Sequence, residues 1–451
     1  MCKSLNLCII LDSDENMLVK FTIENYLSFK GRTTIDMSAE ALKEKKEYVF
    51  VPYLHNAKLC LLKSAVILGF NAFGKTNLIR GYAFYRHFIL NSFTLNKTIR
   101  EIDVQPFLFN TSTIKKPSYF EATFILKNTK YRYGFELTRD KIISEWLYYA
   151  DGPIRENSLF IRGEQEIREI GKQWNKDSDN KVEQTKSFTK PHNLFLSVLI
   201  EQDNIPRITE IGEWLKGNII LKNQYEISLE EASNYYSDSK YTNAILKFLE
   251  SPDLGITNIH QKLSGTVSNS NIHKELINYL NETKVKNFEL FTTHQTFDEN
   301  YNPKGVLELN LIKNESSGTI KYFVIACYLA YAIVNSQLIW IDELDASLHS
   351  QLLSFIIRIF NNNKNNMTGS QLIFSTHNTI LLDNKLRRDQ IYIVDKNEYG
   401  ESRLIKAHTS KTPIRINKSI EREYREGTLN IGVSKKLAKN ELPSLFPKSK
   451  E

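Results

Sequence analysis

The sequence predicts a mixed α/β fold: a parallel-sheet core with helices on its faces, an antiparallel β-lobe and an inserted helical subdomain. Three observations carry that prediction. The apolar run Ser64-Ala-Val-Ile-Leu ends in a glycine-containing loop that opens a helix-like stretch, Asn77 to Tyr85. A second apolar run, Leu338-Ile-Trp-Ile, ends in two carboxylates, and a third, Gln371-Leu-Ile-Phe-Ser, comes after a helical stretch from Leu352 to Phe360. Strand, helix, strand order with helices of that length implies parallel pairing. Between about 100 and 165 the period is two, as antiparallel strands require.

In chain order, residues 1–16 read as an extension unlike the rest of the chain. Regular alternation starts with Met17-Leu-Val-Lys-Phe-Thr-Ile-Glu, which makes Met17 the expected start of the folded unit. Residues 17–165 form the expected N-terminal lobe, with antiparallel strands at Ser118 to Leu126, Tyr131 to Leu137 and Ile142 to Tyr149. Residues 166–290 change character: the polar linker Asn175 to Lys181 and the helical period of Tyr241 to Glu250 mark the helical insertion. Residues 291–451 form the C-terminal lobe, with a strand near Val306 to Ile312. Tyr322 to Ile341 has about membrane-spanning length. Asn335-Ser-Gln interrupts it, so it reads as a buried helix, a turn and a buried strand. The stretch Asn361 to Asn366 reads as a solvated turn.

A chain of 451 residues suggests two or three structural units. The balance of 59 Lys and Arg against 52 Asp and Glu leaves +7, a mild pull toward an anionic partner and far from the dense basic face of a dedicated nucleic-acid domain. The cysteines Cys2, Cys8, Cys60 and Cys327 form no CxxC pair and no His-containing metal spacing, so neither a zinc site nor a disulfide framework is supported, and a reducing cytoplasm fits best. The apolar stretch Leu5 to Leu11 is too short for a secretory leader. His192, His260, His273 and His294 lack carboxylate or cysteine partners at ligand spacing, so solvated or core roles are expected. The basic C-terminal stretch from Lys406 to Lys439 is interleaved with Glu421, Glu423 and Glu426, leaving a solvated helix face and a DNA or RNA contact both open.

The chemistry concentrates in Gly69-Phe70-Asn71-Ala72-Phe73-Gly74-Lys75-Thr76, with Asn77 next, a full match to G-x-x-x-x-G-K-[ST]. Glycines let the backbone curl so that consecutive N–H groups face phosphate oxygens, and the helix N-terminus favours the anion. Lys75 is placed to bridge the β- and γ-phosphates of ATP, and the Thr76 hydroxyl to ligate Mg²⁺. Asp342, at the end of a strand read as neighbouring the phosphate-loop strand, can hold Mg²⁺ through water while Glu343 polarises the attacking water. An Asp-Glu pair after an apolar strand is also a common solvated strand end. Its company, Leu344-Asp345-Ala-Ser-Leu-His349 and then Ser375-Thr-His377, favours the functional reading.

That ordered set, with Glu315-Ser-Ser-Gly-Thr319 between, resembles the ABC-type ATPase heads of the SMC and RecF kind, and among them the compact bacterial ATPases related to OLD proteins and to anti-phage ATPase subunits of the RloA, AbiL and PARIS type. The likeness runs from Met17 through Pro106-Phe, Tyr131-Arg-Tyr-Gly-Phe-Glu and Ser144-Glu-Trp-Leu-Tyr to Tyr424-Arg-Glu-Gly-Thr-Leu-Asn-Ile-Gly. The resemblance implies that Ser316 and Gly318 contact the γ-phosphate held by the other subunit, and that Asp345 to His349 forms a dimer-contact loop. His377 would sense the γ-phosphate, and Gln105 is the candidate for the Mg²⁺-water glutamine. A bare polar helix cap at Ser316, a plain polar His377 and a Gln105 without function stay open as alternatives. Glu315-Ser-Ser-Gly-Thr departs from the transporter form Leu-Ser-Gly-Gly-Gln.

The resemblance further implies a homodimer with two ATP sandwiched between heads, open to higher assembly. No membrane partner is expected. It also implies a cytoplasmic sensor or scaffold in antiviral defence that controls a separate effector, a nuclease being the first candidate. A RecF-like ATPase that clamps DNA during repair is the alternative. A built-in OLD-type nuclease is disfavoured, since only about seventy residues come after His377 and no Asp-x-Asp pair stands among them.

Overall fold

The computed structural model describes residues 16–52, 54, 59–95, 101–152, 155–163, 166–177, 180–202, 205–222, 229–250, 255–263, 288–346, 348–382, 385–409 and 419–425. The expected extension 1–16 lies outside them except for Asn16.

In chain order the principal elements begin with β1 (Asn16–Glu24), β2 (Thr33–Asp36), the short pair β3 (Val49–Phe50) and β4 (Leu61–Leu62), β5 (Ser64–Leu68) and α1 (Lys75–Leu95). Then come β6 (Ser118–Leu126), β7 (Thr129–Leu137), β8 (Ile142–Ala150), β9 (Asn157–Gly163), β10 (Glu166–Ile170), α2 (Phe195–Glu201), α3 (Pro206–Gly217) and β11 (Ile219–Leu221). Next are α4 (Leu229–Ser237), α5 (Ser239–Leu249), β12 (Ile256–Leu263), β13 (Phe288–Phe297), β14 (Pro303–Asn310) and α6 (Ser317–Val334). Last are β15 (Leu338–Ile341), α7 (Ser350–Asn361), β16 (Gln371–Ser375), β17 (Ile391–Lys396), β18 (Ser402–Lys406) and α8 (Ile420–Arg425).

Two large sheets organise these elements. One is antiparallel, ordered β10-β9-β8-β7-β6-β1-β2, and the other runs β11-β15-β16-β5-β17-β18. Within the second, β11, β15, β16, β5 and β17 pair in parallel and β18 closes the edge antiparallel. Residues 166–290 carry helices and also supply β10 to the antiparallel sheet, β11 to the parallel sheet and β12 to a three-stranded sheet with β13 and β14.

Strand alternation splits the parallel sheet between two cores. Ala65, Ile67, Trp340 and Ile373 face α1 and the antiparallel sheet, whereas Val66, Leu68, Ile339, Ile341 and Phe374 face α6 and α7. α1 is thus held between the sheets, with Tyr82 stacked on Trp340 at 5.0 Å and Phe21 edge-on to Tyr82 at 5.1 Å. The sheets are also joined by polar contacts. Where β1 shifts register against β6 between Leu18 and Lys20, the Leu18 N–H donates to Gln371 Oε1 at 2.6 Å and the Leu18 carbonyl accepts from Gln371 Nε2 at 3.0 Å. One amide satisfies both backbone groups that the bulge frees.

α6 is the one helix among the described residues long and apolar enough to cross a bilayer. Tyr322 to Ala330 is buried against the rest of the chain, and a turn at 335–337 leads into the strand β15, giving the helix, turn and strand read from the sequence.

The Asn-rich stretch corrects its reading. Asn362 to Lys364 is exposed, but Asn361 and Asn366 are fully buried. Asn361 bonds the Ser64 hydroxyl, and Asn366 donates to Phe360 O and Ser370 O. A turn that must pass beneath the amino edge of β5 and β16 uses asparagine amides to satisfy buried backbone groups.

Candidate nucleotide site at the carboxyl edge of the parallel sheet

The loop 69–74 joins the carboxyl end of β5 to the first residue of α1. Its curl needs left-handed backbone at Ala72 (φ 61°) and at Gly74 (φ 115°). A Cβ on Gly74 would lie 2.6 Å from Ser402 Oγ and 2.7 Å from Ser28 Oγ, so the second glycine is required by close packing as well as by conformation. The loop is braced from behind: Ser402 Oγ donates to Phe73 O, Lys396 Nζ donates to Ala72 O at 3.1 Å, and Asn77 Nδ2 donates to Ser28 Oγ at 2.9 Å. Phe70 stacks on Tyr424 of α8 with ring centroids 5.9 Å apart. Asn71 is exposed and Thr76 half-buried.

Lys75 is buried, and its ammonium donates to the loop carbonyls of Gly69 at 2.7 Å and Phe70 at 3.3 Å. Burial pulls its pKa down, and the charges of Asp342, Glu343 and Asp345 pull the other way. The geometry therefore brings the loop lysine and the three carboxylates read from the sequence to one sheet edge.

Asp342 stands at the end of β15. The sequence reading placed that strand next to β5, but β16 lies between them. The correction has a physical consequence, because the intervening strand supplies Ser375. The Ser375 hydroxyl donates to Asp342 Oδ1 and accepts the Glu343 N–H at 2.7 Å, and its carbonyl accepts the Leu344 N–H at 3.0 Å. Glu343 itself is left-handed (φ 49°), a conformation that costs a non-glycine residue about 1–3 kcal/mol and is maintained here by those bonds.

His377, past the end of β16, places Nε2 3.7 Å from Glu343 Oε1, and its backbone N–H donates to Asp345 Oδ2 at 3.2 Å. Asp345 Oδ1 is buried without a hydrogen-bond partner among the described residues.

Ser316 and Gly318 lie elsewhere, at the N-terminus of α6. Ser316 is the N-cap: its Oγ accepts the Thr319 N–H at 3.1 Å and lies 2.9 Å from Thr319 Oγ1. Ser316 and Ser317 are exposed, and Gly318 is half-buried. The preceding Glu315 accepts from Thr292 Oγ1 at 2.5 Å and from His294 Nε2 at 2.7 Å. His294 thus has a carboxylate partner, as does His260 in Glu308 at 3.1 Å, partners that linear spacing could not reveal. His273 lies outside the described residues.

Gln105 is exposed, and its carbonyl accepts the Leu27 N–H at 2.9 Å, next to the Ser28 that braces Asn77. Of the segment 345–349, for which the resemblance implies a dimer contact, Asp345, Ala346, Leu348 and His349 are described and Ser347 is not. Lys406 turns inward, donating to Asp36 O and Ser38 O, so it is spent on β2 and not on a nucleic-acid face. Most of the remaining basic stretch and the motif beyond Arg425 lie outside the described residues.

The residues missed by sequence reasoning are Ser375, Ser402, Ser28 and Lys396. Serines and lysines without a motif carry no signal of their own. Ser375 alone had one, its place two residues before His377.

The family described as "AAA domain, putative AbiEii toxin, Type IV TA system" matches residues 64–383, more than half of the chain. No curated protein matches it. Among solved structures, the SMC head domain from Thermotoga maritima is 12% identical, over 87% of this chain and 99% of that one, with a TM-score of 0.42. The Smc head from Pyrococcus furiosus bound to the C-terminal domain of ScpA is 12% identical, over 86% and 96%, at 0.40. The recombination mediator RecF with ATPrS is 12% identical, over 87% and 99%, at 0.35.

Proposed function

The chain belongs to that AAA-domain family, and from this premise we propose that it is an ABC-type ATPase that binds and hydrolyses Mg²⁺-ATP as a head-to-head dimer. The observation that carries the reading is the convergence of Lys75, Asp342, Glu343, Asp345 and His377 on the edge reached by the loop 69–74. Backbone N–H groups of the loop and the N-terminus of the 21-residue α1 receive the phosphates, and Lys75 exchanges its loop carbonyls for phosphate oxygens. Thr76 and Asp342 offer the hard oxygen donors that suit Mg²⁺, and the orphaned Asp345 Oδ1 adds an unspent acceptor at the same edge. Bound Mg²⁺ would neutralise phosphate charge. Glu343 takes the proton of the attacking water, and His377 stands beside it to bond the γ-phosphate. Gln105 is assigned to the water shell of the metal.

The exposure of Ser316, with Gly318 half-buried beside it, fits a role toward the nucleotide of a second subunit, as an accessible helix N-terminus favours an anion. The family's description as a putative AbiEii toxin of a type IV TA system is compatible with a cytoplasmic sensor or scaffold in anti-phage immunity that governs a separate effector, a nuclease being the first candidate.

The test is Glu343→Gln. The amide preserves shape but cannot accept the water's proton, so ATP stays bound and the dimer persists. Light scattering should show an ATP-dependent doubling of mass with hydrolysis lost. An unchanged mass rejects the sandwich, and unchanged turnover rejects the role of Glu343. Purification of the same variant from its native operon should then retain a stoichiometric effector. Recovery of DNA alone would favour the repair reading.

A further inference from the structure

We propose that Lys321 is a positioning residue that locks the signature helix α6 to the loop after β15, so that the ATP site served by one element is coupled to the site served by the other. The inference rests on the head-to-head dimer proposed above. There, Ser316 and Gly318 of each subunit act at its partner's nucleotide, while Glu343 and His377 act at its own.

α6 runs Ser-Gly-Thr-Ile-Lys-Tyr-Phe-Val-Ile-Ala-Cys-Tyr-Leu-Ala-Tyr-Ala-Ile-Val, and Lys321 is its only charged residue. A single charge near the start of an apolar helix needs a reason. Its ammonium is not released to solvent but donates to Ala346 O, with Asp345 and Glu343 as the opposing charges nearby. Burial disfavours the charged form, and those carboxylates offset that cost.

From Ala346 the connection continues through short links. The Ala346 N–H donates to Glu343 O at 2.9 Å, Asp345 Oδ2 accepts the His377 N–H at 3.2 Å, and His377 Nε2 faces Glu343 Oε1 at 3.7 Å. A displacement of α6 by a γ-phosphate at Ser316 is therefore transmitted through Lys321 to the backbone that carries Glu343 and His377. Without the Lys321 bond, the loop 343–346 keeps its ties to Ser375 and the apolar packing of Leu344, but loses its polar link to α6 among the described residues.

The test compares Lys321→Met, which fills similar volume without a donor, with Lys321→Arg, which restores one. Three measurements are made on the full chain: ATP affinity by calorimetry, steady-state ATPase against ATP concentration, and ATP-dependent mass in the Glu343→Gln background. The expected result is a sigmoidal wild-type rate curve that becomes hyperbolic in Lys321→Met, with turnover down about tenfold. ATP affinity should change less than about twofold, because the phosphate loop is untouched, and Lys321→Arg should recover sigmoidicity. A hyperbolic wild type, a sigmoidal Lys321→Met with full turnover, or an Arg variant as impaired as Met overturns the inference. If Glu343→Gln fails to dimerise with ATP, the dimer reading itself fails and takes this one with it. If it dimerises and Lys321→Met behaves as wild type, only the coupling is wrong.

Discussion

Ser375 Oγ donates to Asp342 Oδ1 while accepting the backbone N–H of Glu343, so one hydroxyl on β16 sets the direction of the Asp342 carboxylate and restrains the backbone of Glu343. Both bonds lie at the strand end nearest the phosphate loop. Removing the hydroxyl leaves Asp342 free to turn and releases the left-handed Glu343 from one of its restraints. Supporting partners of this kind typically account for about 10–100-fold in activity. Ser375→Ala should therefore lower ATPase turnover by about that factor, with thermal unfolding confirming a folded protein. Full turnover in the variant would show that Asp342 and Glu343 hold their geometry unaided.

Gly74→Ala tests the loop itself. The added Cβ meets both Ser402 Oγ and Ser28 Oγ under 3 Å, at a backbone angle that an L-residue resists. A free loop that relieves about 1–3 kcal/mol of strain by leaving this curl must recover it on binding, a loss of ATP affinity of roughly five- to 150-fold. Calorimetry on the folded variant reads it directly.

Glu145 predicts a purely structural effect. It is fully buried and accepts from Tyr133 Oη at 2.9 Å, from the N–H groups of Phe195 at 2.8 Å and Leu196 at 2.9 Å, and faces buried Arg162 at 3.4 Å. Burial raises its pKa, opposed by Arg162 and by those N–H bonds. Glu145→Ala uncaps α2 and strands a buried guanidinium, at a cost of about 3–5 kcal/mol. Chemical denaturation should report that loss.

Lys63 gives the stability a pH dependence. It is fully buried, with Nζ donating to the neutral acceptors Asn363 Oδ1 at 2.6 Å and Asn366 O at 2.9 Å, and burial, opposed by the charge of Glu47, pushes its pKa from 10.5 to about 8. Between those values the unfolded chain holds a proton that the folded protein has shed, so stability rises with pH across the window. Urea midpoints from about pH 7.5 to 9.5 should climb in the wild type relative to Lys63→Met, which lacks the titrating group. Parallel curves would show that Lys63 stays charged in place.

What the sequence determined by itself was whatever is encoded locally. The phosphate loop is legible because backbone curl, glycine placement and the lysine all fall within eight consecutive residues. The strands Ser118 to Leu126 and Ile142 to Ala150 are legible because alternation is a local period. The helix, turn and strand from Ser317 to Ile341 were legible because Asn335-Ser-Gln breaks an apolar run. Tertiary structure decided the rest, since sheet order and side-chain partners join residues that no spacing rule connects. Only folding places β16 between β5 and β15, and so puts Ser375 on Asp342. Only folding turns an asparagine run into a buried clamp on Ser64, gives His294 its Glu315, and brings Lys321 to Ala346 across 25 residues of chain. A local pattern constrains the backbone, whereas a polar side chain takes its partner from whichever buried group the packing leaves unsatisfied.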